Sequence, residues 1–293
     1  MTGFFNVFKE AGYTSHDVVA IVRKLTRGKV GHTGTLDPQA EGVLPICLGR
    51  ATKLADMITG QEKAYVAEVM LGITTDTGDM TGQVLSRLPV SFDEAAISKV
   101  IEGFLGPQMQ VPPMYSALKV GGKKLYELAR KGQTVERKPR AVNIKDIRVV
   151  ESRPGENSFT IDVTCSKGTY IRSLCMDIGE ALGTGAAMGA LLRTRSGAFC
   201  VDTAVRIADI RKAAEDGGLS GLLLPVEDVL RFPRAFVQPE GLTMARNGNA
   251  LPLGLVDMPG EPGDGVWLHG PDGLIGLFSV DKIADKLRLE VMM

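Results

Sequence analysis

The chain has 293 residues, 44% of them apolar and 23% charged, and its 34 basic and 34 acidic side chains cancel to a formal net charge of zero. This composition excludes disorder and collagen-like repeats, and the length allows one large domain or two ordinary ones with a core that needs no disulfide staples. Taken as one number, zero charge argues against a nucleic-acid partner, because phosphate binding is driven by Lys and Arg.

In chain order, residues 4–8 read as a short first strand, and Gly12 opens a turn. Thr14 or Ser15 caps a helix with Asp17 in its first turn, where a negative charge suits the dipole. Val18, Ile21, Val22 and Leu25 share one face of that helix, and Gly28 ends it. Residues 31–45, dense in Gly, Thr, Asp and Pro, read as a loop. Residues 64–71 read as a strand. Residues 93–105 read as an amphipathic helix, begun by Asp93 and stopped by Gly106-Pro107. A short helix is expected over 125–130, strands over 142–150 and 159–165, and a helix over 170–182 closed by Gly183 and Gly185. After Val229, Pro, Gly and Asn punctuate short apolar runs at 234–238, 250–256, 265–269, 274–280 and 287–292. That texture predicts a small β-rich domain with a boundary near residue 230. The whole reads as α+β, not as a doubly wound parallel sheet.

The charge is unevenly distributed along this order. Residues 119–148 hold ten basic and three acidic side chains, whereas residues 200–293 hold nine basic and fourteen acidic ones. Neutrality is therefore a sum over a basic centre and acidic flanks, which restores nucleic acid as a candidate partner. Cys47, Cys165, Cys175 and Cys200 form no C-x-x-C pair, and with three histidines they assemble no zinc spacing. Reduced core thiols and a cytoplasmic protein without metal are the expectation. The first nine residues lack the apolar run of a signal peptide, and no stretch of about 20 apolar residues predicts a membrane span.

Two segments concentrate chemistry. In 31–45, glycines flank Thr33, so the backbone can approach a ligand closely. Asp37 precedes a proline, which biases it to an extended conformation. It is either a presented carboxylate or the start of an Asx-turn. In 166–172, Arg172 falls in the first turn of the predicted helix, a poor place for a cation on dipole grounds. It is either solvated or matched by a specific anion. Tyr65 starts a strand, where packing is its ordinary role.

These residues resemble a known family. Gly31-His32-x-Gly34-x-Leu36-Asp37-Pro38-x-Ala40-x-Gly42-Val43-Leu44-Pro45 is similar to the aspartate motif of the bacterial tRNA pseudouridine-55 synthases, the TruB family. Lys9 with Thr14-Ser15-His16-Asp17-Val18-Val19 resembles the family's N-terminal motif. Gly49-x-Ala51-Thr52-Lys53, Thr75-Asp76-Thr77, Tyr115-Ser116-Ala117-Leu118-Lys119, Gly122-Lys123-Lys124-Leu125-Tyr126 and Lys167-Gly168-Thr169-Tyr170-Ile171-Arg172 follow in order. The resemblance covers about residues 3–230. It departs at Glu10, where the family usually has Pro.

The resemblance implies a pseudouridine-synthase catalytic domain over 1–230, with a mixed, largely antiparallel sheet flanked by helices. It implies a basic RNA-clamping insertion at about 119–148 and a small PUA-like RNA-binding domain over 231–293. Asp37 would be the catalytic aspartate, Arg172 would pair with it and lower its pKa, and Tyr65 would stack on the flipped uracil. Tyr170 and Leu191 would line the same pocket, and His32 would contact flipped nucleotides. Lys9, Lys119, Lys123 and Lys124 complete the expected substrate contacts. The implied partner is the T-stem-loop of tRNA, with no cofactor, no membrane, no obligate protein partner or guide RNA, and a monomer by default. Three rival readings remain: the relative that works inside a guide-RNA particle, a non-catalytic RNA-binding protein, and a carboxylate glycosidase. The insertion argues against the first, and the presence of Asp37 and Arg172 against the second. The third needs a second acidic residue that no feature nominates.

Overall fold

In the computed structural model, which describes residues 1–260 and 263–293, the chain builds a ten-stranded sheet and a separate six-stranded sheet. Strand β1 (Gly3–Lys9) leads into α1 (Ser15–Thr26), then β2 (Val30–His32), β3 (Glu41–Leu48), α2 (Ala55–Thr59) and β4 (Lys63–Leu71). A hairpin of β5 (Ile73–Thr75) and β6 (Val84–Arg87) precedes α3 (Glu94–Glu102) and β7 (Gly106–Gln110). A second small hairpin, β8 (Lys119–Val120) and β9 (Lys123–Lys124), runs into α4 (Leu125–Ala129). The long hairpin β10 (Arg140–Arg153) and β11 (Ser158–Cys165) is followed by α5 (Ile171–Ala181) and β12 (Ala186–Ser196). Short strands β13 (Phe199–Cys200) and β14 (Val205–Arg206) lead to α6 (Ile207–Glu215).

The large sheet has the order β14-β1-β3-β12-β4-β11-β10-β7, with β13 on β12 and β2 on β3. Only β1–β14 and β12–β3 pair parallel, so the sheet is mixed and largely antiparallel. One cluster packs α3 and α5 (Ile97, Ile101, Ile171, Leu174, Ile178) against Ala67, Val69, Phe159 and Ile161. Another packs α1 and α6 (Val18, Val22, Ile210) against Phe5, Val7, Leu44 and Ile46. Side chains alternate across a strand, so Phe4, Val43 and Cys47 face the other way. There they meet Trp267 and Leu277 of the second sheet, and the Trp267 indole N–H donates to the Leu230 carbonyl at 2.7 Å. The second sheet thus has its own core around Ala235, Leu251, Leu268 and Phe278, and also shares one with the first. No helix among the described residues is long and apolar enough to cross a membrane.

Several local expectations hold in detail. Thr14 caps α1 in a reciprocal box with Asp17, and Asp93 caps α3 by accepting from the N–H groups of Ala95 and Ala96. Others change. The left-handed residue that ends α1 is Arg27 (φ 51°), one position before Gly28. Residues 31–45 are a loop only in their middle, because β2 and β3 reach into both ends. Residues 186–196, unassigned in the sequence, form the central strand β12. Its small residues and two register shifts against β4 hide any alternation. The basic stretch 119–148 is also divided. Residues 140–148 lie within β10 of the large sheet, so only 119–139 lies outside it.

Candidate active site

Asp37 sits in the turn between β2 and β3, and three elements pin that turn. The Leu36 N–H donates to Ser15 Oγ at 2.9 Å, at the start of α1. The Gly12 N–H donates to the Pro38 carbonyl at 2.9 Å. Lys9 Nζ, at the end of β1, donates to the carbonyls of Pro38 (3.0 Å), Tyr13 (2.6 Å) and Glu10 (3.1 Å). Among the described residues the Asp37 carboxylate accepts no backbone N–H, so the Asx-turn alternative falls and the carboxylate is presented.

What it meets is Arg172. The guanidinium spans the carboxylate, with Nε 2.9 Å from Oδ2 and Nη2 3.3 Å from Oδ1. Nη1 donates to the Thr77 carbonyl at 3.0 Å and lies 3.7 Å from Asp79 Oδ2, and Nη2 also donates to the Tyr115 carbonyl. A cation in the first turn of α5 is thereby matched by two carboxylates and two carbonyls, which offsets the unfavourable dipole. Gln110 ties down the helix start, exchanging hydrogen bonds with the Tyr170 N–H (2.7 Å) and carbonyl (3.0 Å).

Burial sets the electrostatics. It raises the Asp37 carboxyl above the usual carboxylate range, while Arg172 pulls it down and Asp79 pushes it further up. Arg172 thus pulls in the expected direction, but the guanidinium opposes a larger cost of burial. Burial likewise raises the Tyr65 phenol, so it stays protonated.

Asp37, Arg172, Tyr65, Tyr170 and Leu191 converge on one cavity of about 310 Å³, within the usual range for small-ligand sites. Between the two register shifts of β12, Leu191 lies opposite Ala67 and Arg193 opposite Tyr65 of β4. Leu191 and Arg193 are two residues apart and so share a face. Ser116–Leu118 form another wall. The Leu118 carbonyl accepts from the Leu125 N–H, which joins this wall to the basic hairpin β8–β9. Lys119 and Lys123 are exposed there, and Lys124 is half-buried, on a turn whose Gly121 and Gly122 both have positive φ.

Two expected substrate contacts are placed differently. His32 lies outside the cavity lining, its ring 5.4 Å from that of His16, and its Nδ1 accepts from the Gly34 N–H at 3.3 Å. Burial, helped by His16 and Arg193, lowers its pKa to about 4, so it is neutral near pH 7. Lys9 is corrected outright. It is 0% exposed and spends its ammonium on three carbonyls, so it braces the Asp37 turn and cannot touch RNA. Lys9→Met is expected to leave those carbonyls without their donor, costing about 2–4 kcal/mol and roughly 5–10 °C of melting temperature. The salt dependence of RNA binding is expected not to change. Thermal unfolding checks the first expectation and a salt titration the second.

Sequence reasoning missed Asp79, Arg193, Gln110 and Lys63. Lys63 is buried, lines the cavity and donates to the Thr59 and Gln61 carbonyls, and burial lowers its pKa to about 8. Arg193 is 1% exposed and donates from Nε to the Val43 carbonyl (2.7 Å) and from Nη2 to the Gly34 carbonyl (3.0 Å). Gly42 is a local sign that the Arg193 backbone packs closely here. Its φ is +105°, and a Cβ there would lie 2.2 Å from the Arg193 carbonyl oxygen. Among the described residues no group of His, Cys, Asp or Glu is arranged to hold a metal ion.

Two family models match consecutive stretches of the chain. Residues 22–171 match the TruB family pseudouridylate synthase N-terminal domain. Residues 172–231 match the tRNA pseudouridylate synthase B C-terminal domain. The chain is 46% identical over 265 residues to tRNA pseudouridine synthase B of Alkaliphilus oremlandii, covering 89% of this chain and 87% of that protein. It is 48% identical over 259 residues to that of Lachnoclostridium phytofermentans, covering 86% and 84%. Among solved structures, an H/ACA ribonucleoprotein bound to a substrate RNA containing 2′-deoxyuridine is similar at TM-score 0.73 and 26% identity, over 99% of this chain and 84% of that one.

Proposed function

The chain belongs to the TruB family of pseudouridylate synthases, and from that premise we propose that Asp37 is the residue that reacts with the nucleotide as uridine in tRNA becomes pseudouridine. The enzyme is a tRNA-modifying isomerase. The finer target we assign is uridine-55 of the T-loop. The observation that carries the assignment of Asp37 is its clasp by the Arg172 guanidinium on a cavity lined by Tyr65, Tyr170 and Leu191.

The chemistry asks for what this cavity holds. The N1–C1′ bond must break, the uracil must turn, and C5 must join C1′ before water reaches the sugar. The proton leaves C5 and N1 gains one, so the atoms balance without a cofactor. The target base is stacked within a folded loop and has to be flipped out to reach Asp37. An ionised carboxylate can add to the nucleotide, stabilise positive charge on the sugar, or accept the C5 proton. Tyr65 offers its ring for stacking and a protonated phenol for hydrogen bonding. Leu191 and Tyr170 exclude water from the freed base.

The hairpin carrying Lys119, Lys123 and Lys124 is proposed to grip phosphates beside the cavity, its Gly-Gly turn allowing it to move. On α4 the Tyr126 ring has Lys124 and Arg130 each 5.4 Å from its centroid, which adds an aromatic group to the cationic surface. Replacing the three lysines by Ala is expected to reduce the slope of log affinity against log salt by about 2–3, one phosphate contact each. Filter binding over a salt series checks this, and an unaltered slope would remove the hairpin from the RNA contact. We further assign residues 1–230 to catalysis and 231–293 to a small RNA-binding module. The enzyme is read as acting in the cytoplasm as a monomer, without guide RNA or protein partner. Mapping pseudouridine in unmodified tRNA after incubation with the protein tests the whole reading, and no product at position 55 would overturn it.

A further inference from the structure

Arg193 is a cavity-lining guanidinium that the proposed chemistry does not use. It stands directly opposite Tyr65 in the antiparallel pairing of β12 with β4, a position where side chains lie within about 5.5 Å at Cβ. Its other donors are committed: Nε to Val43 in β3 and Nη2 to Gly34, three residues before Asp37. Both residues are buried and both line the cavity, so the exchange between them is poorly screened by water. The nearest atom to where a Gly34 Cβ would sit is Arg193 Nη1, at 3.5 Å, which puts this last nitrogen beside the aspartate turn.

We propose that Arg193 is a positioning residue that locks the Tyr65 phenol and the Asp37 turn into one unit, donating to the phenol oxygen so that the phenol hydrogen points toward the bound base. A guanidinium suits this because its fork is planar and always charged, so its three acceptor directions are fixed together. The phenol oxygen can accept from Arg193 while its hydrogen remains free for one other partner. The guanidinium also acts on the phenol electrostatically, opposing the effect of burial. The inference rests on the reading of Tyr65 as a substrate-contacting residue.

The test is a double-mutant cycle read by single-turnover pseudouridine formation. Arg193→Met is expected to lower the rate about a hundredfold in the native background and less than about threefold in Tyr65→Phe, with tRNA affinity within about twofold throughout. Arg193→Lys, which keeps the charge but not the fork, is expected to show the same dependence on background with a smaller loss, and it serves where the Met variant does not fold. Equal losses in both backgrounds overturn the inference, since the damage then runs through the Asp37 turn alone. Tyr65→Phe by itself reports on the reading of Tyr65. A loss there combined with equal Arg193 losses leaves that reading standing and removes Arg193 from it.

Discussion

Asp37→Asn is expected to abolish pseudouridine formation, by more than about a thousandfold in single-turnover rate, while tRNA affinity stays within about twofold. The substitution keeps the shape and removes only the charge. Affinity for RNA is spread over many phosphate contacts, to which one carboxylate in a cavity adds nothing favourable. A second readout follows from the sign of the pKa shift. Burial raises the Asp37 pKa in the folded state, so the folded protein binds its proton more tightly than the unfolded chain does. The stability tied to this group is then present below the unfolded pKa and is lost as pH rises through the folded one. At neutral pH the ionised carboxylate costs stability, and the neutral amide is expected to unfold at the same or a higher temperature. The same shift places the acidic limb of the activity profile above pH ~3.9, the value of an ordinary aspartate. Pseudouridine mapping, thermal melts at pH 7 and a pH–rate profile check these three points. Substantial product from the Asn variant would sink the assignment of Asp37.

The legibility of this site in the sequence follows the distance over which each residue acts. Asp37 and Arg172 sit in short motifs whose own chemistry flags them, a carboxylate before Pro38 and a cation where the dipole of α5 disfavours one, whereas Tyr170 came only with the resemblance. The fold brings the Asp37 and Arg172 side chains together. Lys9 was legible as part of a motif but not as a buried brace, because nothing local says that its ammonium turns back onto the Glu10 and Tyr13 carbonyls and joins them to that of Pro38, 29 positions on. Arg193 acts on Val43 and Gly34, 150 and 159 positions away, from a strand whose small residues carry no period. Asp79 is in the same position, because its significance appears only once the β5–β6 hairpin brings it to Arg172 across the fold. The basic stretch misled for a related reason. Charge composition cannot separate the exposed hairpin at Lys119–Lys124 from β10, whose exposed lysines and arginines decorate a sheet strand.

Arg172→Ala is the second large effect, and its mechanism is separable from that of Asp37. Arg172 is 5% exposed and is the cation shared by Asp37 and Asp79, so its removal leaves the Asp37 carboxylate and the Thr77 and Tyr115 carbonyls without a donor and takes the counter-charge from Asp79, which keeps its hydrogen bonds from Thr77 and Thr81. Breaking a buried pair this way costs about 3–5 kcal/mol, and the low end applies because the Asp37 side chain is 38% open to the cavity. A melting temperature lower by roughly 10 °C is expected, with a rate loss of about a hundredfold at pH 7. The pH dependence carries the argument further. Arg172 lowers the Asp37 pKa against burial and Asp79, so without it the carboxyl titrates still higher and less of it is ionised at neutral pH. The rate deficit is therefore expected to shrink as pH rises from about 6 to about 9, since alkaline solution restores the ionised form that the guanidinium otherwise secures. Arg172→Lys is expected to recover little, because an ammonium cannot span both oxygens of Asp37 while also reaching Thr77 and Tyr115. Single-turnover rates across that pH range decide the matter. A deficit of constant size at every pH would mean that Arg172 only shapes the turn and does not hold the charge of Asp37.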